Sequence, residues 1–306
     1  VGVQAAPLDK PTQVGVLEAG GVLLQWRGLG DEDRRRLERQ AGGDVRVAPN
    51  PGLPSTVVAT AWGHKLTCTG LDVEALKSFV RAYAGKGLAE TNAWVVAPSG
   101  PGGECVLIDC PPDPSAILDR LAHHGLKLVA LLSTHGHVDH VGGVGSVVHA
   151  QPSPASVPVH IHDGDRHMLL DPVGTSGQFG QLLLQADLDL RPPELLYGLE
   201  DGQRVSGAGM TFTAIHTPGH TKGSTCFLLE VEGSPPVLFS GDHLFQGSIG
   251  RTDLPGGSYD ELMESMASKI LPMADDVQVL PGHGATTTVG RERRSNPFLL
   301  ELQQGR

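Results

Sequence analysis

The segment Leu126 to Gly143 constrains the fold of this chain more than any other. Its first part, Leu126 to Ser133, is a nearly continuous apolar run bounded by polar residues, the pattern of a strand buried on both faces. Directly behind it, Ser133-Thr-His-Gly-His-Val-Asp-His-Val-Gly-Gly143 brings three histidines and one aspartate into six positions. A buried strand of that kind belongs to a layered α/β fold, and loops at such strand ends are where those folds place their sites. Neutral imidazole nitrogen and hard carboxylate oxygen together suit Zn²⁺, and also Fe or Mn. Extended backbone through the loop would point His135 and His137 one way and turn Asp139 and His140 to a second position, so that one loop feeds two metals.

Three further clusters follow predicted strands: His216-Thr-Pro-Gly-His-Thr221, Ser240-Gly-Asp-His243 and Leu280-Pro-Gly-His-Gly284. Each pairs a potential ligand with small residues that allow close backbone approach. A single Gly-His turn is common and means little. Four clusters at the ends of four strands call for a shared site. No GxSxG elbow accompanies them, so a serine nucleophile is not expected.

The strand and helix signals alternate around these clusters. Ala93 to Ala97 and Cys105 to Asp109 read as a hairpin turned at Ser99 to Gly103, and Pro114 to His124 reads as an amphipathic helix closed by Gly125. Further strands are expected at Val157 to Ile161, Met210 to His216, Ser224 to Val231, Val237 to Ser240 and Val277 to Leu280, with a helix over Tyr259 to Ile270. Asp171 to Leu196 has frequent apolar residues interrupted by Gly and Pro and gives no clear pattern. Ahead of all this, Val14 to Gly87 reads as a small α/β unit. It has β-prone segments at Gly21 to Trp26, Ser55 to Ala61 and Lys65 to Cys68, and helices at Asp31 to Gln40 and from Asp72 through Ala84. The expected division is therefore 1–87 and 88–306.

Composition narrows the function. Against 34 Asp plus Glu stand 23 Lys plus Arg, and a formal charge of -11 offers no footprint for phosphate backbones or anionic lipid. Nucleic acid and membrane are not expected partners. Four cysteines without a CxxC pair read as free buried thiols. No stretch approaches the roughly 20 apolar residues of a membrane helix, and the first residues lack a signal-peptide pattern, so a cytoplasmic location is the expectation. The chain starts with Val rather than Met, so an upstream segment removed or not included is also expected.

The set HxHxDH, then His220 in HTPGHT, Asp242 in SGDHLF and His283 in LPGHG, resembles the metallo-β-lactamase superfamily over roughly Glu90 to Leu302. Within it, Gly247 to Gly257 (GSIGRTDLPGG) and Gly284 to Asn296 resemble the short, single-domain relatives of hydroxyacylglutathione hydrolase, the type II glyoxalases. The resemblance implies an α/β fold, an αβ/βα four-layer sandwich with the metals at the edge between two mixed sheets, preceded here by the small N-terminal α/β unit. It also implies two divalent ions, zinc foremost and iron or manganese as alternatives. His135, His137 and His220 would hold one; Asp139, His140 and His283 the other; Asp242 would bridge. The implied activity is hydrolysis of a small-molecule thioester of the hydroxyacylglutathione type, by attack of a hydroxide shared by the metals, with Asp139 as the catalytic residue that orients it. A mononuclear-iron persulfide dioxygenase using His135, His220 and Asp242, and a lactonase, are alternatives on the same scaffold. A β-lactamase fits the ligand set less well.

Other residues carry weaker signals. Arg251, in the GRTD loop, could hold a substrate carboxylate, or pair with Asp253. His160, His162 and His167 in VHIHDGDRH read as a strand entering a polar turn rather than a third metal site, and His216 and His243 as outer hydrogen-bond partners of the ligands, with plain packing as the alternative. The longer type II glyoxalases contact glutathione through a helical C-terminal domain, whereas this chain stops soon after Pro297, so those contacts do not carry over. Val47 to Lys77 faintly resembles a small bacterial domain of unknown function, which implies no activity; a stabilising or partner-binding appendage is the expectation for it.

Overall fold

The computed structural model describes residues 91–176 and 190–304, together with the backbones of five strands that precede them. Those five are β1 (Val14–Ala19), β2 (Val22–Arg27), β3 (Arg46–Pro49), β4 (Leu66–Gly70) and β5 (Phe79–Ala84). The first three form an antiparallel sheet with β1 in the middle. The helix expected over 31–40 and the strand expected over 55–61 lie outside the described residues.

A seven-stranded mixed sheet begins with β4 and β5 and continues through β6 (Asn92–Ala97), β7 (Glu104–Ile108), β8 (Lys127–Leu132), β9 (Val159–His160) and β10 (Leu196–Tyr197). Strands β4 to β7 meander antiparallel, and β7 to β10 run parallel. This corrects the expected helix from Asp72 through Ala84: residues 79–84 are a strand paired in register with β6, Phe79 opposite Ala97 and Ala84 opposite Asn92. The segment FVRAYA is rich in aromatic and β-branched residues, and in so short an apolar run helical and strand periods fit equally well. The partner strand settles the outcome.

The second sheet has six strands: β11 (Arg204–Gly207), β12 (Met210–His216), β13 (Thr225–Leu229), β14 (Val237–Gly241), and, beyond the short β15 (Leu244–Phe245) and β16 (Ser248–Ile249) hairpin, β17 (Gln278–Pro281) and β18 (Thr287–Thr288). Only the β14 and β17 pair is parallel.

Strand alternation builds three cores and therefore four layers. On β6, Trp94 and Val96 face the other sheet and meet Phe212, Phe227 and Phe239, all buried; Ala93, Val95 and Ala97 face outward. The outward face is covered by Ile117 and Leu121 of α1 (Ser115–His123) and by Val141, Val144, Val147 and Val148 from α2 (Val138–Val141) and α3 (Val144–His149). Helix α1 ends as its sequence specifies, with Gly125 at φ +59°. Two short helices follow, α4 (Arg166–Leu170) and α5 (Pro172–Thr175). Over the far face of the second sheet lie α6 (Tyr259–Ser265), which runs on as a π-helical turn to Ile270, then α7 (Val289–Ser295) and α8 (Pro297–Gln303), through Leu262, Met263, Met266, Val289 and Leu299. Each fully buried Leu, Ile or Phe contributes roughly 1.5–3 kcal/mol, so the three cores supply most of the favourable term. Among the described residues no helix is long and apolar enough to cross a membrane.

Candidate metal centre

The four clusters sit where β8, β12, β14 and β17 end, and the two sheets bring those ends together. His135 and His137 follow β8 directly. Beyond them the backbone does not stay extended: residues Val138–Val141 make one turn of helix, with His137 at its N-cap position. Helical rotation, rather than strand alternation, therefore carries Asp139 and His140 to the second group of donors, with His140 still beside His135. His220 comes from the loop between β12 and β13, Asp242 from the end of β14 and His283 from the end of β17.

Seven side chains converge in three overlapping groups: His135, His137 and His220; His135, His140 and Asp242; Asp139, His140 and His283. Within each group the donor atoms lie within 4.8 Å of one another. His220 Nε2 is 3.2 Å from His135 Nε2 and 2.9 Å from His137 Nδ1. On the other side, His140 Nε2 is 3.3 Å from His283 Nε2 and from Asp242 Oδ1, and 3.5 Å from Asp139 Oδ2. His283 Nε2 also meets Asp139 Oδ2 at 3.3 Å and Asp242 Oδ2 at 3.2 Å. His135, His140 and His220 are buried, whereas Asp139 and His283 keep about a quarter of their side-chain surface exposed, so the site opens on their side.

The outer nitrogens of the buried imidazoles say what the inner ones can do. His220 Nδ1 lies 2.7 Å from the carbonyl oxygen of Arg251, which can only accept, so Nδ1 carries the proton and Nε2 points a lone pair inward. Thr134 Oγ1 gives its proton to Asp109 Oδ2 and accepts from His135 Nδ1 at 3.1 Å, which leaves His135 Nε2 unprotonated as well. Two lone pairs then face each other at 3.2 Å with no proton between them. That arrangement repels unless a cation lies between, and Asp242 Oδ1, paired with His140 Nε2 at 3.3 Å, lies within reach of the same space. The residues fit a divalent cation.

Charge is divided unevenly across the site. Burial, and then the neighbouring imidazoles His140 and His220, hold His135 well below the ordinary histidine range; burial and His220 push His137 down to about 4. At His140 and His283 burial acts in the same direction but loses. Asp242, Asp139 and Asp109 raise His140, and hydrogen bonds donated to Asp139 and Asp242 push His283 up to about 10. For Asp139 and Asp242, burial would raise the carboxyls, but His140 and His283 hold both well below the usual range. The site is thus neutral at His135 and His137 and an ion-pair cluster around His140 and His283.

Residues absent from the sequence reading of the site support it from behind. Asp109, at the end of β7, accepts from Thr134 N at 2.7 Å and from His140 Nδ1 at 2.8 Å. Thr91 Oγ1 donates to Asp139 Oδ2 at 3.0 Å. Asn92 Nδ2 donates to the carbonyl oxygens of Pro281 and Gly284, on either side of His283. None stands in a motif, so spacing could not single them out.

The expected outer roles of His216 and His243 are corrected. His216 stacks on His162 with ring centroids 3.8 Å apart, and its Nε2 meets Lys222 O; it touches no member of the site. His243 is buried with neither ring nitrogen hydrogen bonded among the described residues, and burial followed by His220 pushes it down to about 3. His160 packs on Tyr197, and His160, His162 and His167 join no metal-ligating group among the described residues. Arg251 pairs both ways with Asp253, at 2.8 and 2.7 Å, on the surface beside the site. Cys105, Cys110 and Cys226 are free and buried, and burial pushes the Cys226 thiol up to about 12.

Comparison with known proteins agrees with this geometry. Residues 87–283 match the family described as the metallo-beta-lactamase superfamily, and the chain belongs to that superfamily. Residues 3–94 match a protein family of unknown function, DUF3105. The hydroxyacylglutathione hydrolase GloC of Haemophilus influenzae is a homologue, 36% identical over 213 residues, which cover 69% of this chain and 88% of that protein. Among solved structures, the B3 metallo-beta-lactamase BLEG-1 is 39% identical with a TM-score of 0.59, covering 70% of this chain and 96% of that one. TTHA1623, solved in a di-iron-bound form, is 36% identical with a TM-score of 0.56, covering 70% and 97%. Fold, donor set and homology together define a metallo-hydrolase.

Proposed function

We propose that this chain hydrolyses a thioester of the hydroxyacylglutathione type at a two-metal centre. In this reading His135, His137 and His220 hold one ion, Asp139, His140 and His283 hold the second, and Asp242 lies between them. Zinc suits the donor set best, and iron and manganese suit it as well. The observation that carries the proposal is the convergence of seven donors into three overlapping groups of three, one made of imidazole nitrogens alone and two that each add one carboxylate. Similarity to GloC over most of its length supports the choice of thioester. When bound, two divalent ions supply a water whose pKa falls to about 7 and the positive charge that a developing oxyanion needs.

The protein's own residues set where this happens. Asp139 sits on the open side with its Oδ2 held by Thr91, so its carboxylate can accept a hydrogen bond from water and orient that water towards a carbonyl carbon. His220 and His135 are fixed in the tautomer that faces inward, by Arg251 O and Thr134 Oγ1. Phe245, with its ring centroid 6.0 Å from that of His283, gives the mouth an apolar wall against which an acyl chain can lie.

Turnover of S-D-lactoylglutathione by protein reloaded separately with zinc, iron or manganese tests the proposal, with Asp139→Ala as control. Loss of thioester absorbance that needs bound metal and falls at least about 100-fold in the variant is the expected result. Similarity to BLEG-1 makes a β-lactam the comparison substrate. Preferential cleavage of the β-lactam, or an intact thioester with metal bound, would reject the thioesterase reading. Oxygen uptake with glutathione persulfide at a single iron would replace it with the dioxygenase.

A further inference from the structure

The turn after β9, His162-Asp-Gly-Asp-Arg166, has no part in the site as described, yet one of its carboxylates reaches it from behind. We infer that Asp165 is a positioning residue that sets the His135, His137 and His220 cluster and leaves the Asp139, His140 and His283 cluster to other supports. The inference rests on the metal-centre reading above.

Asp165 is buried, and its two oxygens are shared between two loops. Oδ2 accepts from the Gly136 backbone N–H at 2.9 Å and from Thr221 Oγ1 at 2.6 Å; Oδ1 accepts from the Gly223 N–H at 2.7 Å. Gly136 lies between His135 and His137, and Thr221 follows His220. The first loop leaves β8 of the seven-stranded sheet, and the second enters β13 of the six-stranded sheet. One carboxylate therefore fixes, across the gap between the sheets, the spacing of the three nitrogens that make up a single cluster.

The local sequence is fitted to this contact. A Cβ on Gly223 would stand 2.6 Å from Asp165 Cγ, and one on Gly136 would stand 2.9 Å from the Asp165 carbonyl oxygen and 2.6 Å from Met168 Cβ. Side chains at either position would push the loops off the carboxylate. Ser224 Oγ braces the same loop, accepting from Thr221 N at 3.0 Å.

The other cluster hangs on different residues. Asp139 is held by Thr91, His140 by Asp109, and the His283 loop by Asn92. None of these contacts involves Asp165, so a change at Asp165 should be felt on one side only. Asparagine there keeps the shape but offers an NH₂ where an acceptor is needed, so at least one of the three donors loses its partner.

Zinc titration of the metal-stripped full chain against a chromophoric chelator tests this by resolving two binding steps. His137→Ala identifies the step that belongs to the first cluster and His283→Ala the step that belongs to the second. Asp165→Asn is expected to weaken the His137-dependent step by about 10- to 100-fold and to leave the other within about threefold. Thr221→Val, which removes one donor and keeps the shape, is expected to act in the same direction to a smaller extent, and it decides the matter if Asp165→Asn does not fold. Equal weakening of both steps, or a lower melting temperature with both affinities unchanged, would overturn the inference by showing a merely structural role. Wild-type protein that binds no zinc, or His137→Ala that leaves both steps intact, would overturn the metal-centre reading and this inference with it.

Discussion

His140 Nδ1 donates to Asp109 Oδ2 at 2.8 Å, and both side chains are buried. The bond fixes the ring so that Nε2 faces Asp139, Asp242 and His283, and the same carboxylate holds Thr134 at the strand end. Asp109→Asn should weaken metal binding at the His140 side by about 10- to 100-fold, the usual effect of losing such a partner. Asparagine tolerates the φ of +58° at this position as aspartate does, so the backbone should hold. Zinc affinity of wild type and variant, measured side by side, checks this.

Metal uptake should release protons unequally. Asp139 and Asp242 keep His283 protonated to about pH 10 and raise His140 too, so both must give up protons to bind a cation, whereas burial already leaves His135 and His137 neutral. The affinity of the Asp139, His140 and His283 side should therefore rise between pH 7 and pH 9, roughly tenfold per unit for each proton released. Binding through His135 and His137 should add no such rise. Calorimetry in buffers of different ionisation enthalpy reads the proton count directly.

The same charges predict a stability optimum for the metal-free chain. His283 has a raised pKa in the folded state, so its stabilising contribution is complete below the unfolded value near 6.5 and is lost as pH rises towards about 10. His137 has a lowered one, so its neutral burial is harmless above 6.5 and becomes destabilising as pH falls towards about 4. Melting temperature without metal should peak near neutrality and fall on both sides. A flat profile from pH 5 to pH 9 would contradict the charge division.

Gly282 passes between two donors. A Cβ there would collide with Asp242 Oδ1 and stand 2.6 Å from His140 Cε1. Gly282→Ala should cost about 1–3 kcal/mol from overpacking and displace both donors, lowering metal content more than melting temperature suggests. Metal analysis alongside thermal denaturation separates the two effects.

Much of the site was legible because its residues stand in short motifs at strand ends. HxHxDH follows a run, Leu126 to Ser133, whose burial is plain from composition, and β12, β14 and β17 lead into the other clusters as their periods indicate. Legibility fails where a residue's role depends on distant partners. Asp109 meets Thr134 and His140, Asp165 meets Gly136, Thr221 and Gly223, and Thr91 meets Asp139; each is an ordinary polar residue until the chain folds. Phe79 to Ala84 shows the same effect on secondary structure, since pairing with β6 outweighs a helical reading of its apolar residues. Inside HxHxDH the backbone reaches the second cluster through a helical turn, which four residues cannot announce.

Anomalous scattering from crystals grown with zinc tests the central claim most directly. Two peaks a few ångströms apart, one enclosed by His135, His137 and His220 and the other by Asp139, His140 and His283, with Asp242 between, are the predicted result. A single peak, or peaks outside these seven side chains, would contradict the two-metal centre.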